Sequence, residues 1–474
     1  TTTADRRGFI VIQVDGLAHQ HLTSAIDLGY APNLERLLRR GDLVLRRWYS
    51  GLPCTTPAAQ AGIMFGNNDN IPAFRWYDKA RNEAIVCKTP AAVRAIQDRI
   101  SAGRVGILTG GSSLMNMFDG DASLSMFTLG AMHRKRFFES VRGLGFVALF
   151  VLNPLRPLTT LLLSIWEYLT EVVQRVAASF GERALNPLDP GFSFSRIMGS
   201  VIFRDIQTFA LLVDIYRGAP SLYTTYYGYD HLAHHYGPLS KPALRALRAI
   251  DSRIHRIDKL RRLGLSRNYD LYILSDHGMT AAAPFRHTYG QSLGEVISAS
   301  IGNQRLGMSE DYAPERQEVL QIKYLLDELA AVEANVGPSL AFVPHKLRSL
   351  ALRRIALDDE ILEHWDSERR LDLVVRNSGS LSHVYLNLVP RQMNISEIAA
   401  LYPNLISNLT SHAGIWLVIG REDDQVIVLS REGVLTLGPD HPGPGATVAQ
   451  GRAAGRPPTA SQGYHVEGKD PLSC

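Results

Sequence analysis

Short apolar runs ending in aspartate alternate with amphipathic stretches along most of this chain. "GFIVIQVDG" (8–16), "PSLYTTYYGYD" (220–230) and "YDLYILSDHG" (269–278) read as buried strands, and "VGIL" (105–108) as a shorter one. Between them, "NLERLLRRG" (33–41) has helical apolar spacing and stops at glycine. "TTPAAQAGIMFG" (55–66) reads as a helix start, with Thr56 as cap and Pro57 at the first helical position. "KPALRALRAIDSRIHRIDKLRRLG" (241–264) predicts a long amphipathic helix closed by Gly264. "GIWLVIGREDDQVIVLSREGVLTL" (414–437) predicts a β-hairpin region. Strands alternating with helices imply an α/β fold with a mostly parallel central sheet flanked by helices.

The ends of the strands carry the chemistry. Asp15, Asp230 and Asp276 each fall at or just past the end of a predicted strand. Ligands of open α/β sheets bind along that edge, so the pattern predicts that three distant carboxylates converge. His234 follows Asp230 at helical spacing, and His277 adjoins Asp276, with Gly278 permitting a sharp turn. Carboxylate oxygens and neutral imidazoles together suit divalent cations. The donors are too many for one ion; two ions sharing them would sit about 3.5–4 Å apart, the spacing that clamps a phosphoryl group. Thr55 and Thr56 supply hydroxyls at a helix N-terminus, where free N–H groups favour an anion and metal coordination activates a hydroxyl.

Composition narrows the picture. A net charge of +4 over 474 residues gives no case for a nucleic-acid surface. Three cysteines, Cys54, Cys87 and Cys474, rule out a disulfide framework. A cysteine phosphatase would need Arg six positions after Cys54, where Gln60 stands. The chain has no initiator Met and no leader pattern, and it reads as a fragment or processed form. The expected organisation is one catalytic domain over 1–438, with an insertion at about 131–200, followed by a Gly/Pro-rich tail at 439–474.

Taken together, "VDG" (14–16), "TTPA" (55–58), "YDHLAHHYGP" (229–238) and "LSDHGMT" (274–280) resemble, in order and spacing, the type I phosphodiesterase/nucleotide pyrophosphatase family of the alkaline phosphatase superfamily. The members nearest in pattern look like bacterial membrane-associated proteins of unassigned substrate. The resemblance implies an alkaline-phosphatase-like fold, a phosphate-ester substrate, two divalent ions (most simply Zn2+), a threonine nucleophile and a phospho-threonine intermediate. It selects Thr55 as nucleophile, two positions before Pro57. It implies one metal site of Asp15, Thr55, Asp276 and His277, and another of Asp230, His234 and a third His from a downstream His-Gly segment. No free His-Gly segment follows; His383, His412, His441 and His465 are the candidates, and the chain is expected to stop before the segment and to hold that ion poorly. The family's phosphate-holding Asn has no clean counterpart, which leaves Asn70, Arg75 or Asn116 as candidate substrate contacts. The leading expectation is phosphodiester hydrolysis. The alternatives are a phosphomonoesterase, a transferase of lipid-linked phosphate groups, or a non-catalytic relative that binds a partner or membrane.

"GLGFVALFVLNPLRPLTTLLLSIWEYL" (143–169) is the most apolar stretch, interrupted by Arg156 and preceded by "HRKRFF" (133–138). Basic residues ahead of apolar ones suit a helix lying on an anionic membrane surface, which favours a membrane-associated or extracytoplasmic protein. The competing reading is a buried helical insertion.

Overall fold

The computed structural model describes residues 7–131, 155–179, 196–302, 308–310 and 372–438. In chain order its first strands are β1 (Arg7–Val14), β2 (Arg75–Asp78), β3 (Glu83–Val86), β4 (Ser112–Leu114), β5 (Leu124–Met126), β6 (Ser221–Tyr226) and β7 (Asn268–Leu274). Five of them form one sheet in the order β5–β4–β6–β1–β7, every pair parallel. β1 therefore lies between the two strands that lead to the other aspartates. Its alternate residues feed different cores. Ile10, Ile12 and Val14 pack with the helices Arg204–Arg217 and Lys241–Arg261 on one face. Val11 packs on the other with the helices Thr56–Phe65 and Pro90–Ile100. This two-sided burial is why β1 reads as a continuous apolar run.

A smaller core gathers Ile297, Leu373, Val375 and Leu405 from the later part of the chain. It includes β9 (Leu373–Ser378) of the sheet formed by β8 (Met308–Glu310), β9 and β10 (Leu381–Leu386). The hairpin region becomes three antiparallel strands, β11 (Val418–Glu422), β12 (Gln425–Leu429) and β13 (Val434–Leu437). The tail at 439–474 lies outside the described residues.

Several expectations need correction. "VGIL" is a turn, not a strand. Gly106 presses on Gly120, whose carbonyl oxygen would lie 2.3 Å from any Cβ there. The sheet takes the polar segment Ser112–Leu114 instead, with the Ser113 hydroxyl satisfied by the Phe118 carbonyl at 3.1 Å. β6 ends at Tyr226, so Asp230 belongs to the first turn of the helix Gly228–Tyr236 rather than to the strand end. Thr55, not Thr56, occupies the cap position of its helix, and neither side chain makes a capping bond. Gly278 is absent from the positive-φ residues. Its missing Cβ serves instead a close approach, 3.0 Å, to the Ala18 methyl. The helix Leu155–Ser179 is not a buried insertion: Leu161, Ile165, Trp166 and Leu169 are all exposed. None of the described helices is long and apolar enough to cross a membrane. Residues 143–154 and the basic run at 133–136 lie outside the described residues.

Candidate active site

The C-terminal edge of the sheet collects the predicted side chains. Asp15 follows the last residue of β1, and its backbone N–H donates to Tyr226 of β6 at 3.2 Å. Asp276 lies two residues beyond β7. The backbone N–H of Gly16 reaches Asp276 Oδ1 at 3.4 Å, and that of Leu17 donates to Ser275 Oγ at 2.9 Å. These contacts hold the β7 loop against the β1 loop. Asp230 reaches the same place from its helix: an added Cβ on Gly16 would lie 2.2 Å from Asp230 Oδ1. Glycine at position 16 is thus a condition for the carboxylates to meet.

Asp15, Asp276 and His277 each offer a ligand atom within 4.8 Å of the others. His277 Nε2 lies 3.5 Å from Asp15 Oδ1 and 3.6 Å from Asp276 Oδ2. Ligand atoms of a tetrahedral ion with bonds of about 2.0–2.1 Å stand about 3.3 Å apart, so the spacing fits a cation of that size. Thr56 Oγ1 lies 3.3 Å from the same nitrogen. The next hydroxyl, Thr55 Oγ1, is buried without a hydrogen-bond partner, as are Asp276 Oδ2 and Asp230 Oδ1. Buried polar atoms are normally paired, and a cation would satisfy these oxygens together. Asp230 Oδ2 and His234 Nε2, 3.4 Å apart, form a neighbouring pair one turn along their helix. His231 is partly exposed and His235 exposed, the latter with its ring edge on Tyr236.

The electrostatics favour positive charge here. Burial alone would lower the His277 pKa, but the carboxylates of Asp276 and Asp230 and the Gly278 carbonyl raise it to about 9. Burial would raise the Asp230 carboxyl, but the hydrogen bond from His234 and the charges of His234, His277 and His231 hold it below its ordinary value. A cation at Asp15, Asp276 and His277 competes with the imidazole proton. Apparent zinc affinity is therefore expected to rise by up to about tenfold per pH unit from this group and to level off above the raised pKa. In the metal-free chain the sign is opposite: the protonated imidazole stabilises the fold below its ordinary 6.5, and that contribution is lost as pH rises through about 9. Chelator competition and thermal melts across this range check both; a flat zinc-affinity profile contradicts the assignment of His277.

The candidate substrate contacts have the following surroundings. Asn70 is an exposed turn residue whose carbonyl accepts from Arg99 at 2.7 Å. Arg75 is buried on β2, where its backbone N–H donates to Ser378 Oγ at 3.1 Å. Asn116 is fully buried in a polar network that sequence reading missed. Its side-chain amide donates to Ser113 Oγ at 2.9 Å and the Tyr223 carbonyl at 3.0 Å, and its oxygen accepts from Thr225 at 2.6 Å. Gln60 donates to Gln13 and Thr225, both at 3.1 Å, and accepts from the Met117 N–H at 2.9 Å. The Tyr223 hydroxyl donates to Gln13 at 2.7 Å. The network ties the Thr55 helix to β1 and β6. Gln13, a lone polar residue inside an apolar strand, was the visible sign of it. Asn116→Ala is expected to cost about 2–3 kcal/mol by leaving buried groups unpaired. Its KM for a phosphate ester should not change; a denaturant melt beside a KM measurement separates this from substrate contact.

Of the third-histidine candidates, His383 lies on β10 with its ring 6.1 Å from Tyr385, and burial lowers its pKa. His412 sits between Phe285 and Tyr289 at centroid distances of 5.1 and 4.9 Å. His441 and His465 lie outside the described residues. Among the described residues, the only group of three or more possible metal ligands is Asp15, Asp276 and His277.

A parallel sheet that gathers carboxylates, histidine and a helix-end hydroxyl at one edge is the architecture of metal-dependent enzymes acting on phosphate esters. Residues 9–300 match the type I phosphodiesterase / nucleotide pyrophosphatase family, and the chain belongs to it. Its fold is the alkaline-phosphatase-like α/β fold, and it is a phosphoric ester hydrolase of a metal-dependent family. No curated protein matches the chain.

Proposed function

We propose that the chain hydrolyses phosphodiesters through Thr55 with two divalent ions, most simply zinc. The observation that carries this reading is the meeting of Asp15, Asp276 and His277 within 4.8 Å, next to a helix whose cap residue, Thr55, keeps its buried hydroxyl unpaired. Asp15, Asp276, His277 and Thr55 would hold one ion, and Asp230 and His234 would contribute to the second. When bound, such ions lower the pKa of a hydroxyl and neutralise phosphoryl oxygens. Thr55 Oγ attacks phosphorus, forming an Oγ–P bond as the bond to the leaving oxygen breaks. Water then attacks the same phosphorus, the Oγ–P bond breaks and the threonine hydroxyl is restored. The N-terminus of the helix Thr56–Phe65 offers free N–H groups toward the anion. The nitrogen donor and the roughly tetrahedral spacing support zinc over magnesium, which prefers octahedral oxygen sites.

The test compares hydrolysis of an aryl phosphodiester with that of the aryl phosphomonoester, beside elemental analysis. One tightly held zinc per chain and faster diester turnover are expected. The second ion should bind weakly, because Asp230 and His234 are its only ligands identified among the described residues. Two tight equivalents would mean that one of the four later histidines completes that site, and His→Ala scanning would find it. Monoester preference would sink the diester reading.

A further inference from the structure

The helix Leu155–Ser179 turns its polar side inward. Thr160, Ser164, Glu167 and Glu171 follow at spacings of four, three and four, which is one helical face. Thr160 Oγ1 donates to Asp205 Oδ2 at 3.2 Å. Glu167 accepts from Arg196 Nε at 2.7 Å and pairs with its Nη2 at 2.6 Å, and Arg196 is only 2% exposed. The opposite face carries Leu158, Leu161, Leu162, Ile165, Trp166 and Leu169, all exposed, and continues to Val173. Trp166, in mid-stripe, is 67% exposed. These seven neighbouring apolar side chains, each about half or more exposed, form a contiguous patch of the kind that marks an interaction surface. With Glu167 and Glu171 directed inward, this helix is inverted relative to a helix that covers a core.

The helix Lys241–Arg261 adds charge to this side of the molecule. Lys241, Arg245, Arg248, Arg256 and Lys259 are exposed along one of its faces. Arg256 shares with Thr159 and Leu163 the lining of a cleft of about 270 Å³, whose floor is Asp205, Thr208, Phe209 and Leu212 of the helix Arg204–Arg217, so the basic face comes close to the apolar one at Arg256. Apolar residues beside a row of cations suit a surface that is apolar inside and anionic outside. A second copy docking on the same face would bring two cationic rows together. We propose that the helix Leu155–Ser179 is an interfacial helix that seats the enzyme on an anionic lipid bilayer. Its apolar face enters the headgroup–acyl boundary and the basic face of Lys241–Arg261 meets the headgroups. Such seating needs no hydrolytic step. It does fix the site relative to the surface: Arg196 Nη1 lies 3.4 Å from the hydroxyl of Tyr236, which ends the helix bearing Asp230 and His234.

Flotation with phosphatidylcholine vesicles, with and without phosphatidylglycerol, tests it. The chain should float with the mixed vesicles at low salt. Binding should weaken by at least tenfold near 1 M salt, where the screening length is about 3 Å, or with phosphatidylcholine alone. Ile165→Glu/Trp166→Glu should stay at the bottom in every condition and melt like the unmodified chain. Arg245→Ser/Arg256→Ser/Lys259→Ser should lose the salt-sensitive part only. In the unmodified chain, Trp166 fluorescence should be quenched by brominated lipid, with Trp166→Phe as the control. Unmodified protein left at the bottom at low salt, or a double variant that floats normally, overturns the proposal. So does a dimer in sedimentation equilibrium that the double variant dissolves, because a second copy is then the occupant.

Discussion

Thr55→Ala is expected to lower phosphate-ester turnover by about 10⁴-fold or more while leaving the chain folded and its zinc measurable, because it deletes the attacking oxygen. The stability cost should be under about 1 kcal/mol, since the Thr55 side chain makes no capping bond to lose. Thr56→Ala removes the contact with His277 Nε2 at 3.3 Å. A neutral contact of about 0.5–1.5 kcal/mol corresponds to at most about tenfold in rate. The two hydroxyls are adjacent in sequence, so the pair of variants reads the register directly. Thr55→Ser should retain turnover, and acid-quenched reactions with a labelled diester should leave phosphate on residue 55 only. A dead Thr56→Ala beside an active Thr55→Ala would move the nucleophile by one residue.

Gly16→Ala should have the next largest effect, although residue 16 contributes no side chain. Gly16 has a φ of 69°, a region that costs a residue with a Cβ about 1–2 kcal/mol. The larger consequence is local. The new methyl would lie 2.2 Å from Asp230 Oδ1 and 3.0 Å from its Cγ, so the carboxylate must move. A displacement on the order of 1 Å in a catalytic group costs about 100-fold. The expected result is a loss of about 100-fold in turnover and weakened metal binding, with a thermal midpoint only slightly lowered. Titration calorimetry with zinc, beside a melting curve, checks it. Wild-type metal affinity and turnover in Gly16→Ala would show that Asp230 does not belong to the site.

β1 was legible because burial on both faces leaves a continuous apolar run, and β6 and the partly exposed edge strand β7 through their β-branched and aromatic residues; each leads to an aspartate. β4 was not legible, because three residues of Ser-Ser-Leu carry no such pattern and the strand exists through its neighbours. The one-residue uncertainty at the Thr55 helix is similar: Thr-Thr-Pro is compatible with either cap until the loop before it is placed. The polar network of Gln13, Gln60, Asn116 and Thr225 joins residues up to 165 positions apart within single hydrogen bonds, beyond what periodicity can report.

The alternation of buried strands and amphipathic helices can be read from the amino-acid sequence, and with it the sheet edge near which Asp15, Asp230 and Asp276 gather. Hydrophobic period and strand-end chemistry are local properties, so they survive in one dimension. The tertiary structure alone decided which donors approach within ligand distance, and that Asn116 is committed to the core. It alone decided that the helix Leu155–Ser179 points its apolar face outward. That last point has the plainest physical reason: an amphipathic pattern specifies two faces of a helix but not which one meets the protein. Here the pairing of Glu167 with buried Arg196 makes that choice.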